Sequence, residues 1–335
     1  MADKRGIVWL ASYPKSGNTW TRIFLANYLV NGDKPVPINQ AHRFAMGDSV
    51  AKTYALAAQT SINTGDLDQV LDLRGRVLRG IVANGADVNF VKTHNFQGSM
   101  KGRLLIPKEL TRSAVYIVRN PLDVVVSYAR HFGLTHEQAA TALSSASNWI
   151  APTGDTVGQF LGRWDQHVKS WTVPADNPQL ILRYEDLLTD PVQHFANLLT
   201  HIGIPIDQLR LKKAIEFSSF KELSHQEEKG GFEEKSQFTK AFFGRGQAAQ
   251  WKSALSPELV MQIRAEHGKT MEFSSFKELS HQEEKGGFEE KSQFTKAFFG
   301  RGQAAQWKSA LSPELVMQIR AEHGKTMEKF GYLDE

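Results

Sequence analysis

The chain has 335 residues, a formal net charge of +4 and no cysteine, which excludes disulfides, thiolate metal sites and a cysteine nucleophile. A small excess of base without a Lys/Arg run argues against a nucleic-acid partner and for a compact anionic ligand. The few apolar residues between Arg5 and Ser12 are too short a run for a signal-peptide core or a membrane span, so a cytoplasmic protein is expected.

Ile7 to Ser12 reads as a strand buried on both faces, and a helical pattern follows from Thr19 to Leu29. Between them lies Ser12-Tyr13-Pro14-Lys15-Ser16-Gly17-Asn18-Thr19-Trp20. Such a junction aims unpaired backbone N–H groups and the positive helix end at one point, where an anion binds. Gly17 permits close backbone approach, Lys15 adds a point charge, and Asn18 and Thr19 bring further donors. The Walker order G-x-x-x-x-G-K-[ST] is absent, since Lys15 precedes Gly17 and no glycine opens the loop. Taken alone, the segment also suits a helix start with a solvated lysine.

A second strand, Asn89 to Thr93, closes on Lys92-Thr93-His94, at the carboxyl end where α/β sheets bind ligands. A histidine there is by itself as readily a packed residue. The third strand, Ala114 to Val118, leads through Arg119-Asn120-Pro121 into a helix over Leu122 to His131. Pro121 suits the first helical turn, and Arg119 offers the forked contact that a phosphate monoester accepts. Asp123 reads as a structural carboxylate at the helix start, with Ser127 one turn on. A helix near Val157 to Trp171 would place Phe160, Trp164, Val168 and Trp171 on one core-facing stripe. The fourth strand, Leu180 to Tyr184, runs into Glu185 and Asp186, which are expected to cap the following turn, and Pro191 to Ile202 forms another helix. Alternation of this kind predicts an α/β fold with a parallel central sheet flanked by helices.

Glu216 to Glu272 then recurs without a difference as Glu272 to Glu328, 56 residues on. Solenoid repeats diverge and need about three units, so two identical copies indicate an in-frame duplication, natural or engineered. Residues 217 to 272 hold eight basic and eight acidic side chains, and one copy fewer leaves 279 residues, the size of a single domain. The expected organisation is a domain over 1–272, including the first copy 217–272, and a second copy plus tail over 273–335. Each copy ends in a helix signalled by Ser256, Pro257 and Gly268, with Ser312, Pro313 and Gly324 as twins.

Tyr13 to Trp20 resembles Y-P-K-[SA]-G-[TN]-T-W, the first loop of the sulfotransferases that use PAPS (3'-phosphoadenosine 5'-phosphosulfate), and further segments return in that family's order. The resemblance implies a P-loop-like strand-loop-helix in which Lys15, Ser16, Gly17, Asn18 and Thr19 grip the 5'-phosphosulfate and Trp20 lies against the adenine. By the K-T-H motif, His94 is implied as the general base, with Lys92 and Lys15 on the transferring group. The R-x-P-x-D-x-x-x-S pattern assigns Arg119 and Ser127 to the 3'-phosphate. Tyr184, from Y-E-D, and Ser218 and Phe220, resembling T-S-F, would border the adenine.

Phe243, Arg245 and Gly246 resemble the loop F-x-R-K-G-x-x-G-D-W-[KR] that closes over the 3'-phosphate. Gly244 stands where the family has Arg, Arg245 where it has Lys, and Ala249-Gln250 where it has Gly-Asp, so one cationic contact is missing. The family's dimer motif K-x-x-x-T-V-x-x-x-E is not matched after Lys252. The implied chemistry takes PAPS as co-substrate, releases PAP, needs no metal and sulfates a small-molecule hydroxyl or amine. His42, Phe44, Tyr54, Trp149 and Ile150 would either line the acceptor pocket or pack a lid. The rivals are an ATP-dependent phosphotransferase on the same sheet and a nucleotide-binding module whose catalysis the duplication has impaired. The duplicated segment also offers a route to a homo-oligomer.

Overall fold

The computed structural model describes residues 6–84, 86, 88–173, 176–244 and 246–273. Strand β1 (Ile7–Ser12) leads into α1 (Asn18–Val30), and after a 3-10 turn come β2 (Met46–Gly47), α2 (Ala51–Ala58), α3 (Leu67–Val82) and β3 (Asn89–Thr93). The small hairpin β4 (Ser99–Met100) and β5 (Arg103–Leu104) precedes β6 (Thr111–Val118), α4 (Pro121–Phe132) and α5 (His136–Leu143). A second hairpin, β7 (Trp149–Ile150) and β8 (Gln159–Phe160), is followed by α6 (Trp164–Thr172), β9 (Gln179–Arg183), α7 (Tyr184–Thr189) and α8 (Pro191–Ile202). Helices α9 (Gln208–Phe217), α10 (Phe220–Gly230), α11 (Trp251–Ala254) and α12 (Pro257–Phe273) complete the described chain.

Helix boundaries follow the local chemistry. Asn120 accepts from the backbone N–H of Leu122 and Pro121 occupies the first turn of α4, while Asp190 and Pro191 do the same for α8, which Gly203 ends at φ 77°. The longer helix expected over Val157 to Trp171 is corrected. Gly162 adopts φ 62°, Gln159–Phe160 pairs antiparallel with Trp149–Ile150, and only from Trp164 does the chain turn helical. Phe160, Trp164, Val168 and Trp171 are nonetheless all buried, because the core takes them from a strand as well as from a helix.

The five-stranded sheet has the order β2-β3-β1-β6-β9, and every neighbouring pair is parallel. The chain builds the sheet first to one side of β1 and then to the other, so the crevice beyond the carboxyl end of β1 is a topological switch point. Alternate residues of β1 feed separate cores. Ile7, Trp9 and Ala11 pack with α3, α4, α5, α6 and α12, whereas Val8 and Leu10 pack with α1, α8, α9 and α10. The first repeat copy contributes to both, through Leu259 and Ile263 on one face and Leu223, Phe232 and Phe243 on the other. Among the described residues no helix is long and apolar enough to cross a membrane.

Candidate active site

A cavity of about 250 Å³ opens at the switch point, walled by the loop after β1, the ends of β3 and β6, the far half of α4 and residues of the first repeat copy. It brings together Lys15, Gly17, Asn18, Thr19 and Trp20 with Lys92 and His94, and with Arg119, Ser127 and Tyr184. Phe220, Phe243 and Gly246 close it. Ser16 and Ser218 are buried beside it without lining it. Arg245 lies outside the described residues.

The loop is held in a strained shape. Lys15 adopts φ 70°, a left-handed conformation that costs a non-glycine residue about 1–2 kcal/mol, and the Arg119 guanidinium donates to its carbonyl at 3.1 Å. Gly17 has φ 106°, and a Cβ there would come 2.7 Å from the Tyr184 ring, so the position needs glycine on both counts. No side chain caps the start of α1, the kind of helix end at which anions bind. Asn18 does not serve it with its amide: Nδ2 donates to Leu10 O at 2.9 Å, tying the helix to β1. The buried Ser16 Oγ and Arg119 Nε have no partner.

His94 is buried at the end of β3, and its Nδ1 lies 2.8 Å from the carbonyl of Ser12. A carbonyl only accepts, so Nδ1 carries the proton and Nε2 is the basic nitrogen. The His94 carbonyl in turn accepts from His167 Nε2 at 3.1 Å, and His167 Nδ1 accepts from Tyr116 O–H at 2.9 Å. Burial, with the Lys92 charge beside it, pushes the His94 pKa well below the ordinary histidine value. From the side, the KTH strand end is locked by Asp48, whose buried carboxylate accepts from Arg74 at 2.6 Å, Thr93 at 2.7 Å and Asn95 at 3.0 Å.

Lys15 Nζ sits 3.9 Å over the Phe242 ring and 3.5 Å from His131 Nδ1. Burial and the charges of Arg130 and Arg119 lower its pKa to about 7, and burial lowers that of Lys92 as well. Among the described residues the single carboxylate lining the cavity is Glu234, which accepts from Arg22 at 2.7 Å and from Thr19 Oγ1 at 3.2 Å. Burial raises its pKa, but the charges of Lys92 and Arg22 outweigh this and hold it far below the usual carboxylate range. Among the described residues no group of three or more metal-ligating side chains gathers.

On the opposite wall the Trp20 ring meets Tyr184 edge-on at 5.8 Å and Phe220 at 5.4 Å, and the Arg119 guanidinium covers the Tyr184 ring at 4.2 Å. Tyr184 opens α7 rather than ending a strand. The Ser218 hydroxyl is turned back to Ala214 O at 2.8 Å, and what Ser218 offers is its carbonyl, which accepts from Trp20 Nε1 at 2.9 Å. Gly246 has φ 57°, and a Cβ there would overlap the Phe220 ring at 2.3 Å. Asp123, read as structural, pins this closing loop by accepting from the N–H groups of Ala249 at 2.8 Å and Trp251 at 3.1 Å. Glu185 braces the other side by accepting from Asn120 N at 3.0 Å.

Of the five aromatic and apolar residues expected at the acceptor side, only Ile150 lines the cavity. Tyr54 is buried with its O–H on Asp48 O at 3.0 Å, and Trp149 stacks on Phe160 with 6.3 Å between centroids. Phe132, His131, Gln159, Phe242 and Arg130 line the cavity as well. The helical spacing of Arg130 and His131 after Ser127 was the one signal that could have found them, because α4 carries all three past the same cavity.

The sulfotransferase domain family matches residues 5–274. Cytosolic sulfotransferase 1 of Arabidopsis thaliana is 23% identical over 76% of this chain and 75% of its own length. Flavonol 3-sulfotransferase of Flaveria bidentis is 26% identical over 76% of this chain and 78% of its own. Among solved structures, mouse sulfotransferase SULT7A1 complexed with PAP aligns with a TM-score of 0.54 and 19% identity, over 83% of this chain and 89% of that one.

Proposed function

The chain belongs to the sulfotransferase domain family, and from that premise we propose that it moves a sulfuryl group from PAPS to a hydroxyl or amine of a small-molecule acceptor, with PAP as the other product. The observation that carries this reading is the tautomer of His94: Nδ1 is committed to Ser12 O at 2.8 Å, so Nε2 is basic in the cavity that Lys15 and Lys92 also enter. An acceptor hydroxyl placed against Nε2 gives up its proton there as its oxygen bonds to sulfur. The bond between sulfur and the bridging oxygen breaks, and its electron pair leaves with the phosphate of PAP. Lys15, Lys92 and the uncapped start of α1 meet the charge that builds on that oxygen.

The adenine fits the aromatic wall of Trp20, Tyr184 and Phe220, and the 3'-phosphate takes Arg119 and Ser127. The unpartnered Arg119 Nε and Ser16 Oγ are donors of the kind such a ligand satisfies. The acceptor wall of Phe132, Ile150 and Phe242 with one amide, Gln159, suits an acceptor bearing a ring. The first repeat copy completes the site within a 1–272 domain, a reading supported by Phe220, Phe243 and Gly246 in the cavity wall. The second copy, 273–335, would be an appendage through which chains associate; all of it beyond Phe273 lies outside the described residues.

Turnover of PAPS with a panel of phenols, alcohols and amines, followed by PAP release and sulfated product, tests the reading. PAP binding without turnover on any acceptor would leave a nucleotide-binding module, and Mg²⁺-dependent use of ATP would make the protein a phosphotransferase.

A further inference from the structure

Arg119 and Arg130 both line the cavity, close enough for the Arg119 charge to act on Arg130. Arg130 follows Ser127 by three residues on α4, so both side chains project from one helix face into the cavity. Arg119 spends two donors on carbonyls, those of Lys15 at 3.1 Å and Gln247 at 3.4 Å, and its buried Nε has no partner. Among the described residues no hydrogen bond or ion pair engages the Arg130 guanidinium, and burial and the Arg119 charge press its pKa below the ordinary arginine value. The guanidinium lies against Gly244, where a Cβ would come 3.0 Å from Arg130 Nη1 and 3.1 Å from Nη2.

Two guanidinium groups side by side repel each other until an anion joins them. The closing loop lacks one cation relative to the family pattern, at Gly244, and Arg130 reaches that same place from the neighbouring helix. We propose that Arg130 is a donor-binding residue which, with Arg119 and Ser127, holds the 3'-phosphate of PAPS, and that Gly244 stays free of a side chain to admit it. The proposal rests on the PAPS reading above. A planar guanidinium offers a phosphate monoester a forked pair of N–H donors, which a lysine in the same place could not. Its contribution is to selectivity, because nucleotides without a 3'-phosphate gain nothing from it.

The test compares dissociation constants for PAP and 5'-AMP, by calorimetry at fixed salt, in the full chain and in Arg119→Ala, Arg130→Ala and Arg130→Ala/Gly244→Arg. Arg130→Ala should weaken PAP about tenfold or more and leave 5'-AMP unchanged, and the double variant should recover part of the loss by supplying the cation from the loop. Unchanged PAP affinity in Arg130→Ala, an equal loss for 5'-AMP, or a double variant no better than Arg130→Ala would overturn the proposal. If Arg119→Ala separates the two ligands and Arg130→Ala does not, the role of Arg130 falls alone. If neither variant separates them, the PAPS reading falls with it.

Discussion

His94 and Lys15 place opposite demands on pH. His94 acts as a base only when neutral, and its pKa lies well below 6.5, so the acid limb of kcat/KM should fall below the range of an ordinary histidine. Lys15 stabilises an anion only when charged, and its pKa of about 7 means the charge is lost as pH rises through neutrality. A pH profile of kcat/KM for PAPS, which reports the free enzyme, should therefore decline above about pH 7. In kcat the same limb should move upward, because the bound donor's negative charge favours the ammonium. Replacing Lys15 with Arg, which stays charged, should remove the alkaline limb from both. His94→Ala should bind PAP normally and lose turnover by about 10² or more, and unchanged turnover would remove His94 from the chemistry.

At the scale of elements, the end of β3 is held by a buried ionic network. Asp48, on the turn after β2, joins Arg74 of α3 to Thr93 and Asn95, and both partners of the 2.6 Å pair are buried. Removing one partner leaves the other charge uncompensated, so Asp48→Ala should destabilise the fold by about 3–5 kcal/mol, readable as a lower midpoint in urea. Loss of the same order in Arg74→Ala, without additivity in the double variant, would identify the pair as one unit. The closing loop obeys a different constraint. Gly246 combines φ 57° with ring contact from Phe220, so Gly246→Ala should weaken PAP binding and lower the urea midpoint, because the strain falls on the folded loop.

For the whole molecule, the identical copies pose a choice that deletion cannot resolve, since removing either one yields the same 279-residue chain. Closing a loop of about 56 residues costs only a few kcal/mol, so neither arrangement is forbidden by chain entropy. If the first copy serves the site, Arg245→Ala should raise the PAPS dissociation constant about tenfold and Arg301→Ala should leave it unchanged. The reverse pattern would assign the site to the second copy, and two half-sized effects would mean exchange between them.

The strands, the strand-to-helix loop and the strand end that carries His94 were legible in the linear order because each is local: an apolar run, a strand-to-helix junction, a three-residue strand end. The α/β class followed from alternation alone, and β1, β3 and α8 match their sequence boundaries residue for residue. The helix over Val157 to Trp171 misled because a buried stripe at helical spacing is also met by a strand, a glycine turn and a shorter helix. Tertiary structure alone decided what meets in the cavity. Arg130, His131, Gln159 and Glu234 are distant from the loop in sequence, and only the crossing of α4, β8 and the first repeat copy over the carboxyl end of the sheet brings them to Lys15. The same packing settled the tautomer of His94, since the carbonyl that holds Nδ1 belongs to Ser12 on another strand. It also turned the side chains of Asn18 and Ser218 inward, because a buried amide and hydroxyl take the nearest carbonyl, and a motif does not record where that carbonyl lies.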